Sequence, residues 1–323
     1  PLVRSRYMGA ILSLFRRSRP RERVVLASGR EWRVGKVLAR GGYSAVHAGT
    51  DATGEEQVAI KVISLVEGGT TEADVEGEVA AHRLVDHESL APLIDAGRHP
   101  RALNQYLMVF PRYAASLADY VQKHADGNAE QLPQSLQRQL AAADLAALFL
   151  PVVRGVAALH AAGAVHRDIK PANIMLDADA SAHLGWRPVL IDFGSVRPVA
   201  VDIPDRAVAL EEQDRAAAHS TAHFRAPELF DVETGSVLGP AVDVFALGAS
   251  LYSVAFIALA FDGTYTAALA RLPVPDNVPA DANQLLAICQ DACAADVAAR
   301  ISLDELEARL VAVIDGSGSG GGV

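Results

Sequence analysis

The apolar pattern of this chain changes character once, and that change limits the folds open to it. Across residues 24–109 the apolar side chains fall in short β-rich runs, at 32–39, 44–49, 57–63 and 107–109, broken by turns that contain glycine. One helical pattern, 71–85, interrupts them. After Ser116 the pattern becomes Ala- and Leu-rich with helical period, over 117–124, 134–160, 243–260, 282–293 and 303–314. This order predicts an α+β chain of two lobes. The small β-rich N-lobe with one helix covers about 24–109, the larger helical C-lobe about 115–314, and a connector spans 110–114, where the fixed φ of Pro111 suits a stiff hinge.

The 323 residues are half apolar, enough to bury a large core. The net charge of −10 hides an asymmetry: residues 1–23 carry seven arginines against the single acid Glu22, so this head is near +6 and the rest near −16. An acidic body argues against nucleic acid as the main ligand, because phosphate binding relies on a basic surface. Cys289 and Cys293 lie four apart on a helical pattern and read as small buried residues of a reducing compartment, with no redox or metal role. The uncharged run from Val244 to Phe261 approaches transmembrane length, but Gly248, Ser250, Tyr252 and Ser253 dilute it and Asp243 precedes it, so it reads as a buried core helix.

The head contains Met8-Gly9-Ala10-Ile11-Leu12-Ser13. With Met8 as initiator this fits N-myristoylation at Gly9, and Arg16, Arg17 and Arg19 would add the electrostatic signal a stable membrane anchor needs. An Arg-rich transit peptide and a disordered head without a role fit the same residues. Residues 315–323 form a Gly/Ser tail with no capacity to fold.

The chemistry concentrates at Val165-His-Arg-Asp-Ile-Lys-Pro-Ala-Asn-Ile-Met175. A loop of this kind can hold the Asp168 carboxylate where it accepts a hydroxyl proton, the Lys170 cation against a transferring phosphate, and the Asn173 amide oxygen on a metal. Upstream, Leu38-Ala39-Arg40-Gly41-Gly42-Tyr43-Ser44-Ala45-Val46 lies between two strand patterns. Its backbone amides could cover phosphates, and a plain hairpin turn explains it equally. Val58-Ala59-Ile60-Lys61 sets a lysine inside an apolar strand, which is costly unless an anion meets the ammonium. Glu78 in the following helix is the expected carboxylate, with Glu76 as its rival on another face. Downstream, Val189-Leu190-Ile191-Asp192-Phe193-Gly194 ends an apolar strand in an acid, and Asp192 with Asn173 would give a hard cation its oxygen ligands. Ala226-Pro227-Glu228 follows, and Arg300 could neutralise Glu228.

These motifs, in this order, resemble a eukaryotic-type protein kinase over about residues 32–310. Within the kinases the chain is similar to the Numb-associated kinase family, and to its small myristoylated serine/threonine kinase 16 branch. Gly41-Gly42-Tyr43-Ser44, Ala81-His82-Arg83-Leu84 and the stretch from Ala209 to Ala217, which looks like that branch's helical insert before Ala-Pro-Glu, carry this likeness. The resemblance implies a bilobal fold and transfer of the γ-phosphate of ATP to Ser or Thr hydroxyls of protein substrates, with autophosphorylation. It implies Mg²⁺, or Mn²⁺ in its place, and an activation segment ordered without phosphorylation.

It further implies Asp168 as the base, Lys170 on the γ-phosphate, and Lys61, held by Glu78, on the α- and β-phosphates. Asn173 and Asp192 become the metal ligands. Leu38, Val46 and Ala59 would lie above adenine and Met175 below it, with Phe110 as gatekeeper and Pro111, Arg112 and Tyr113 as hinge. Residues Ala39 to Ser44 would cover the phosphates, and Lys170 with Thr221 favours Ser/Thr over Tyr. The expected protein is a cytoplasmic monomer, membrane-associated if the head is acylated. Two rival functions are a lipid-anchored pseudokinase scaffold and a small-molecule kinase on the same fold. The chain departs from the family pattern at Ala39, which replaces the first loop glycine and would strain a position of positive φ. It departs again at 256–261, apolar where relatives carry a Gly/Pro-rich loop, and at 176–187, which reads as an expanded surface loop.

Overall fold

The computed structural model describes residues 22–66, 69–276 and 278–318. The Met8-Gly9 signal and residues 319–323 lie outside them. Among the described residues, 22–83 and 91–112 form one compact unit, and 84–90 and 113–318 form a second.

The first unit is built on an antiparallel sheet in the order β1-β2-β3-β4-β6-β5, with β1 at Glu22–Val25, β2 at Glu31–Arg40, β3 at Ser44–Asp51, β4 at Gln57–Ser64, β5 at Asp95–Arg98 and β6 at Gln105–Pro111. Alternation decides which side chains enter the core. Val58, Ile60 and Val62 of β4 point inward with Trp32, Val34, Leu107 and Val109, leaving Gln57, Ala59 and Lys61 on the opposite face. Helix α1, Glu72–Ala81, starts at Thr71 in a capping box with Asp74 and packs Val75 and Val79 against Ile63 and Met108. It stops short of the expected residue 85. Residues 84–90 join the second unit, where Leu90 bridges Leu190 and the amide of Leu190 donates to the Ser89 carbonyl at 2.8 Å.

The second unit begins with β7, Ala115–Ser116, and α2, Leu117–Ala125, capped by Ser116 and Asp119. Helix α3 spans Ala142–Ala161; the expected start at 134 is instead a separate 3-10 turn, Gln134–Leu136, following Pro133. Strands β8, Ala164–Val165, β9, Ile174–Ala178, β10, Trp186–Leu190, and β11, Arg197–Pro198, form the sheets β10-β9-β7 and β11-β8. Of the stretch expected to be a surface loop, residues 179–185 are the loop, and its two ends are strand, because the β9–β10 ladder runs out to the pair Ala178 and Trp186. A small ribbon pairs β12, Val201–Asp202, with β13, Val237–Leu238. Between them α4, Arg206–His219, occupies the predicted insert.

Helix α5, Ala241–Phe256, is buried over 14 residues from Val242 to Ala255 and is the axis of this unit. It ends earlier than the expected residue 260, at Ile257 in the left-handed region (φ 51°), and the chain turns so that Phe261 stacks on Phe245 at 5.2 Å. Helices α6, Tyr265–Leu269, α7, Asn283–Ala292, and α8, Leu303–Gly318, complete the unit. Helix α8 runs past residue 314, so residues 315–318 are helical rather than tail. Helix α3 has the length and apolarity of a membrane span, but it packs on α8, β10 and α5, and ten of its residues are buried. Cys289 and Cys293 are buried free thiols, and burial pushes both thiol pKa values upward.

Helices α5 and α7 touch at Gly248, where an added Cβ would lie 2.6 Å from Ala292 Cβ and 3.0 Å from Cys293 Sγ. Ala292 Cβ is fixed to the α7 backbone and cannot swing aside. Gly248→Ala is therefore expected to cost about 1–3 kcal/mol of overpacking, read as a lower midpoint in chemical unfolding.

Candidate active site

Each unit presents half of the expected constellation. In the first, the ladder sets Ala39, Val46, Lys61 and Met108 in one row across β2, β3, β4 and β6, and Ala48, Ala59 and Phe110 in the next. Lys61 Nζ donates to Glu78 Oε1 at 2.6 Å, with the two side chains 18% and 7% exposed. This answers the cost of a lysine in an apolar strand. Glu78 shares the buried face of α1 with Val75 and Val79, whereas Glu76 is exposed, so helix geometry selects Glu78.

The loop between β2 and β3 is a tight hairpin. The Gly41 amide donates to the Ser44 carbonyl at 2.8 Å, and the Tyr43 carbonyl accepts from the Ser64 amide. Ala39, Gly41 and Gly42 all keep negative φ, so the alanine introduces no strain. Leu38 and Arg40 stay exposed along the end of β2. Pro111 is not part of the connector: it is the last residue of β6, paired with Val58, at a strand end where the missing N–H is tolerated. Arg112 closes the first unit and Tyr113 opens the second, its hydroxyl pKa raised by burial.

In the second unit the catalytic-loop residues are gathered around one carboxylate. Asp168 Oδ2 accepts from Lys170 Nζ at 2.6 Å and from Asn173 Nδ2 at 3.1 Å, and Asp168 Oδ1 accepts from the Thr221 amide at 2.9 Å. Lys170 Nζ also donates to Thr221 Oγ1 at 2.7 Å. A carboxylate has about four acceptor sites. Three are taken, which leaves one open.

The backbone beneath is fixed by Asp243, fully buried at the start of α5. Its Oδ2 accepts from the His166 amide and its Oδ1 from the Arg167 amide, each at 2.8 Å, and His160 Nε2 lies 2.8 Å from Oδ2. Burial alone would raise the Asp243 pKa; the His160 and His166 contacts outweigh it and hold the carboxyl below its ordinary value. Arg167 sits at φ 65°, a left-handed conformation that these bonds hold in place.

Asn173 and Asp192 are brought together by the main chain, since the Ile191 amide donates to the Asn173 carbonyl at 2.9 Å. The Asn173 amide nitrogen is committed to the Asp168 carbonyl and carboxylate, which presents its oxygen as the remaining donor atom. Amide and carboxylate oxygens suit a hard divalent cation that also takes phosphate oxygens. Met175 of β9 lies between Val189 and Ser116 in the sheet. Arg300, its side chain fully buried, holds Glu228 through two bonds at 2.6 and 3.0 Å, as its charge predicts.

A carboxylate, a lysine and an amide thus share one loop, and the main chain brings a second acid, Asp192, to the amide. Residues 32–309 match the protein kinase domain, and the chain belongs to that family. It is similar to serine/threonine-protein kinase 16 of Rattus norvegicus, 40% identical over 109 residues, which are 34% of each chain. A probable serine/threonine-protein kinase of Dictyostelium discoideum is 25% identical over 310 residues, covering 77% of this chain and 81% of that relative. Serine/threonine-protein kinase PkaB of Streptomyces coelicolor is 34% identical over 183 residues, 54% of this chain and 40% of that one. The matched stretch spans about a third of the length of the kinase 16 relatives.

Sequence reasoning did not find Asp243 as the anchor of the loop, nor Arg167, Arg197 and Glu212 as a buried charge cluster. For Asp243 a signal existed, a single acid beside an otherwise apolar helix. For Glu212 there was none, since the adjacent Glu211 looks alike and is exposed.

Because the Asp243 pKa is depressed in the folded state, its contribution is present above the unfolded carboxylate range and lost as pH falls through the folded value. Asp243→Asn should cost at least about 2 kcal/mol at neutral pH. Thermal melts over a pH series should show that difference from wild type narrowing below about pH 4.

Proposed function

We propose that this chain is an ATP- and Mg²⁺-dependent serine/threonine protein kinase, and within that class a relative of the serine/threonine kinase 16 branch of the Numb-associated kinases. The observation that carries the activity is the Asp168 carboxylate, oriented by Lys170, Asn173 and Thr221 and left one acceptor site. In this reading Asp168 accepts the hydrogen bond of the substrate hydroxyl and aligns its oxygen for attack on the γ-phosphorus. Lys170 donates to the transferring phosphoryl oxygens, and Thr221 holds that ammonium in place. Lys61, its ammonium fixed by Glu78, neutralises the α- and β-phosphates. Asn173 and Asp192 would hold Mg²⁺, which when bound neutralises charge on the phosphates. The face carrying Val46 and Ala59 offers small apolar side chains to the adenine. Helix α4, at the position of the expected insert, supports the branch assignment.

The alternatives divide cleanly in one assay. Purified chain with Mg-ATP and a generic protein substrate such as casein should label Ser and Thr residues, and Asp168→Asn should lower the rate by about 100- to 10,000-fold. Absence of transfer by the wild type would favour the scaffold, and transfer only to added small hydroxyl compounds would favour the small-molecule kinase. Lys61→Met should abolish labelling in the same assay.

A further inference from the structure

The sheet face that carries Ala59 continues past it into a groove of about 710 Å³, within the size range of small-molecule sites. Ladder pairing sets Arg23, Arg33, Thr50 and Gln57 side by side across β1, β2, β3 and β4, one row beyond Ala48 and Ala59. Residues directly opposite on neighbouring strands share a face, and all four line the groove. At Gly35 the register of β2 slips against β3, and a Cβ there would lie 2.7 Å from the Ala48 carbonyl oxygen. No side chain therefore fills this part of the floor.

The positive charge along the groove is unmatched. Arg23 and Arg33 stand directly opposite each other, where like charges repel. Arg33 Nε is buried and has no hydrogen-bond partner among the described residues, so its desolvation is not compensated. The Arg33 guanidinium reaches the β3–β4 turn, with Nη1 4.0 Å from where a Cβ on Gly54 would stand. The acids around it are committed elsewhere. Asp51 accepts from the Thr53 hydroxyl and from the Gly54 and Glu56 amides, Glu56 accepts from Arg30 at 2.6 Å, and Glu22 lies 3.3 Å from His99. Glu31 approaches Arg23 at 3.5 Å, but that arginine is 65% exposed and such a pair is worth little. Glu55 is exposed. The sequence ahead of Glu22 supplies no acid either, since residues 1–21 contain six arginines and no Asp or Glu.

Repelling charges and an uncompensated buried donor in one strand pair are the kind of local conflict that proteins keep at functional sites. We infer that this groove binds a phosphate-bearing anion, with Arg33 as its principal donor and Arg23 beside it. A guanidinium presents a planar fork of N–H groups that fits two oxygens of a phosphate. The Thr50 hydroxyl donates to the Asp51 carbonyl at 3.0 Å, so the arginines supply the donors. The volume exceeds that of a bare ion, which fits a phosphorylated small molecule or the phosphate headgroup of a lipid. Lys61 stands two rows further on, about 13 Å along β4, so the groove is separate from the contact assigned to the nucleotide phosphates. It stands whether or not the chain transfers phosphate.

Two measurements on the full chain test the site: calorimetric titration with pyrophosphate, and flotation with phosphatidylcholine vesicles made with or without phosphatidic acid. Both use Lys61→Met as the background, which removes the nucleotide-phosphate contact. Adding Arg33→Gln should weaken binding by about 10-fold or more, the loss expected for a charge-assisted hydrogen bond. Thr50→Glu places a carboxylate opposite Arg33; it should end binding and raise the melting temperature, because the arginine gains a partner. A loss on phosphatidic acid vesicles identifies a lipid headgroup as the ligand, and a loss with pyrophosphate alone identifies a soluble phosphate. If neither readout responds to Arg33→Gln, or if Thr50→Glu binds as tightly as its background, the site is overturned.

Discussion

The Asp243 carboxylate is the contact on which the catalytic loop depends. An acid with no exposure at the head of an apolar helix is costly unless its oxygens are satisfied. Here they are satisfied by the amides of His166 and Arg167 and by His160. Those amides belong to residues in a conformation that a free loop would leave, as the φ of Arg167 indicates. The direction of causation therefore runs outward from the core. Helix α5 is buried almost all round and closely packed on α7 at Gly248, so it cannot shift, and the acid at its start carries that fixity into a loop that would otherwise be irregular and mobile.

The first unit solves a related problem by itself. Lys61 is placed by strand alternation on the face opposite the apolar core, and Glu78 by the buried stripe of α1. The stripe in turn is oriented by Thr71 and Asp74 at the helix start and by Val75 and Val79 beneath. Ser28 and the Trp32 indole both donate to the buried Asp95, tying the β1–β2 turn to β5. In both units a polar group inside the fold has a partner supplied by a different element, and the polar pairing sets the relative position of the elements.

Legibility in the sequence followed range. Strands β2, β3 and β4 alternate over eight to ten residues and were readable, whereas β1 and β5 have four residues each, with charged and glycine positions that carry no period. The end of α5 was hidden because it terminates at Ile257 in a left-handed conformation that isoleucine rarely adopts. The start of α3 was misplaced because Ala141 offers no capping side chain. Residues 84–90 belong to the second unit through Leu90 and Leu190, a contact made across a hundred residues. In the site, Asp168, Lys170 and Asn173 fall within six residues and could be read as a group. The partnership of Glu212 with Arg167 spans 45 residues and that of Asp243 with His166 spans 77, and pairing at that distance leaves no periodic or local mark.

Two kinds of restraint converge on Asp168, and neither suffices alone. Bonds from Asp243 to the preceding amides fix the backbone but leave the aspartate's own χ angles free. Bonds from Lys170, Asn173 and Thr221 fix the carboxylate but come from segments that need anchoring themselves. Lys170 and Asn173 are anchored by the loop, and hence by Asp243. Thr221 is not, because it belongs to the segment that follows α4. Its position is set by the helix before it and by Arg225 after it, which donates to the Ser220 hydroxyl and carbonyl, and α4 itself is largely exposed, with Ala209, Glu212 and Ala216 as its buried residues. Two alanines bury little area and hold a helix weakly. The orientation of the Asp168 carboxylate therefore rests, on its Thr221 side, jointly on the charge that α4 places among three arginines and on Arg225 beyond the helix.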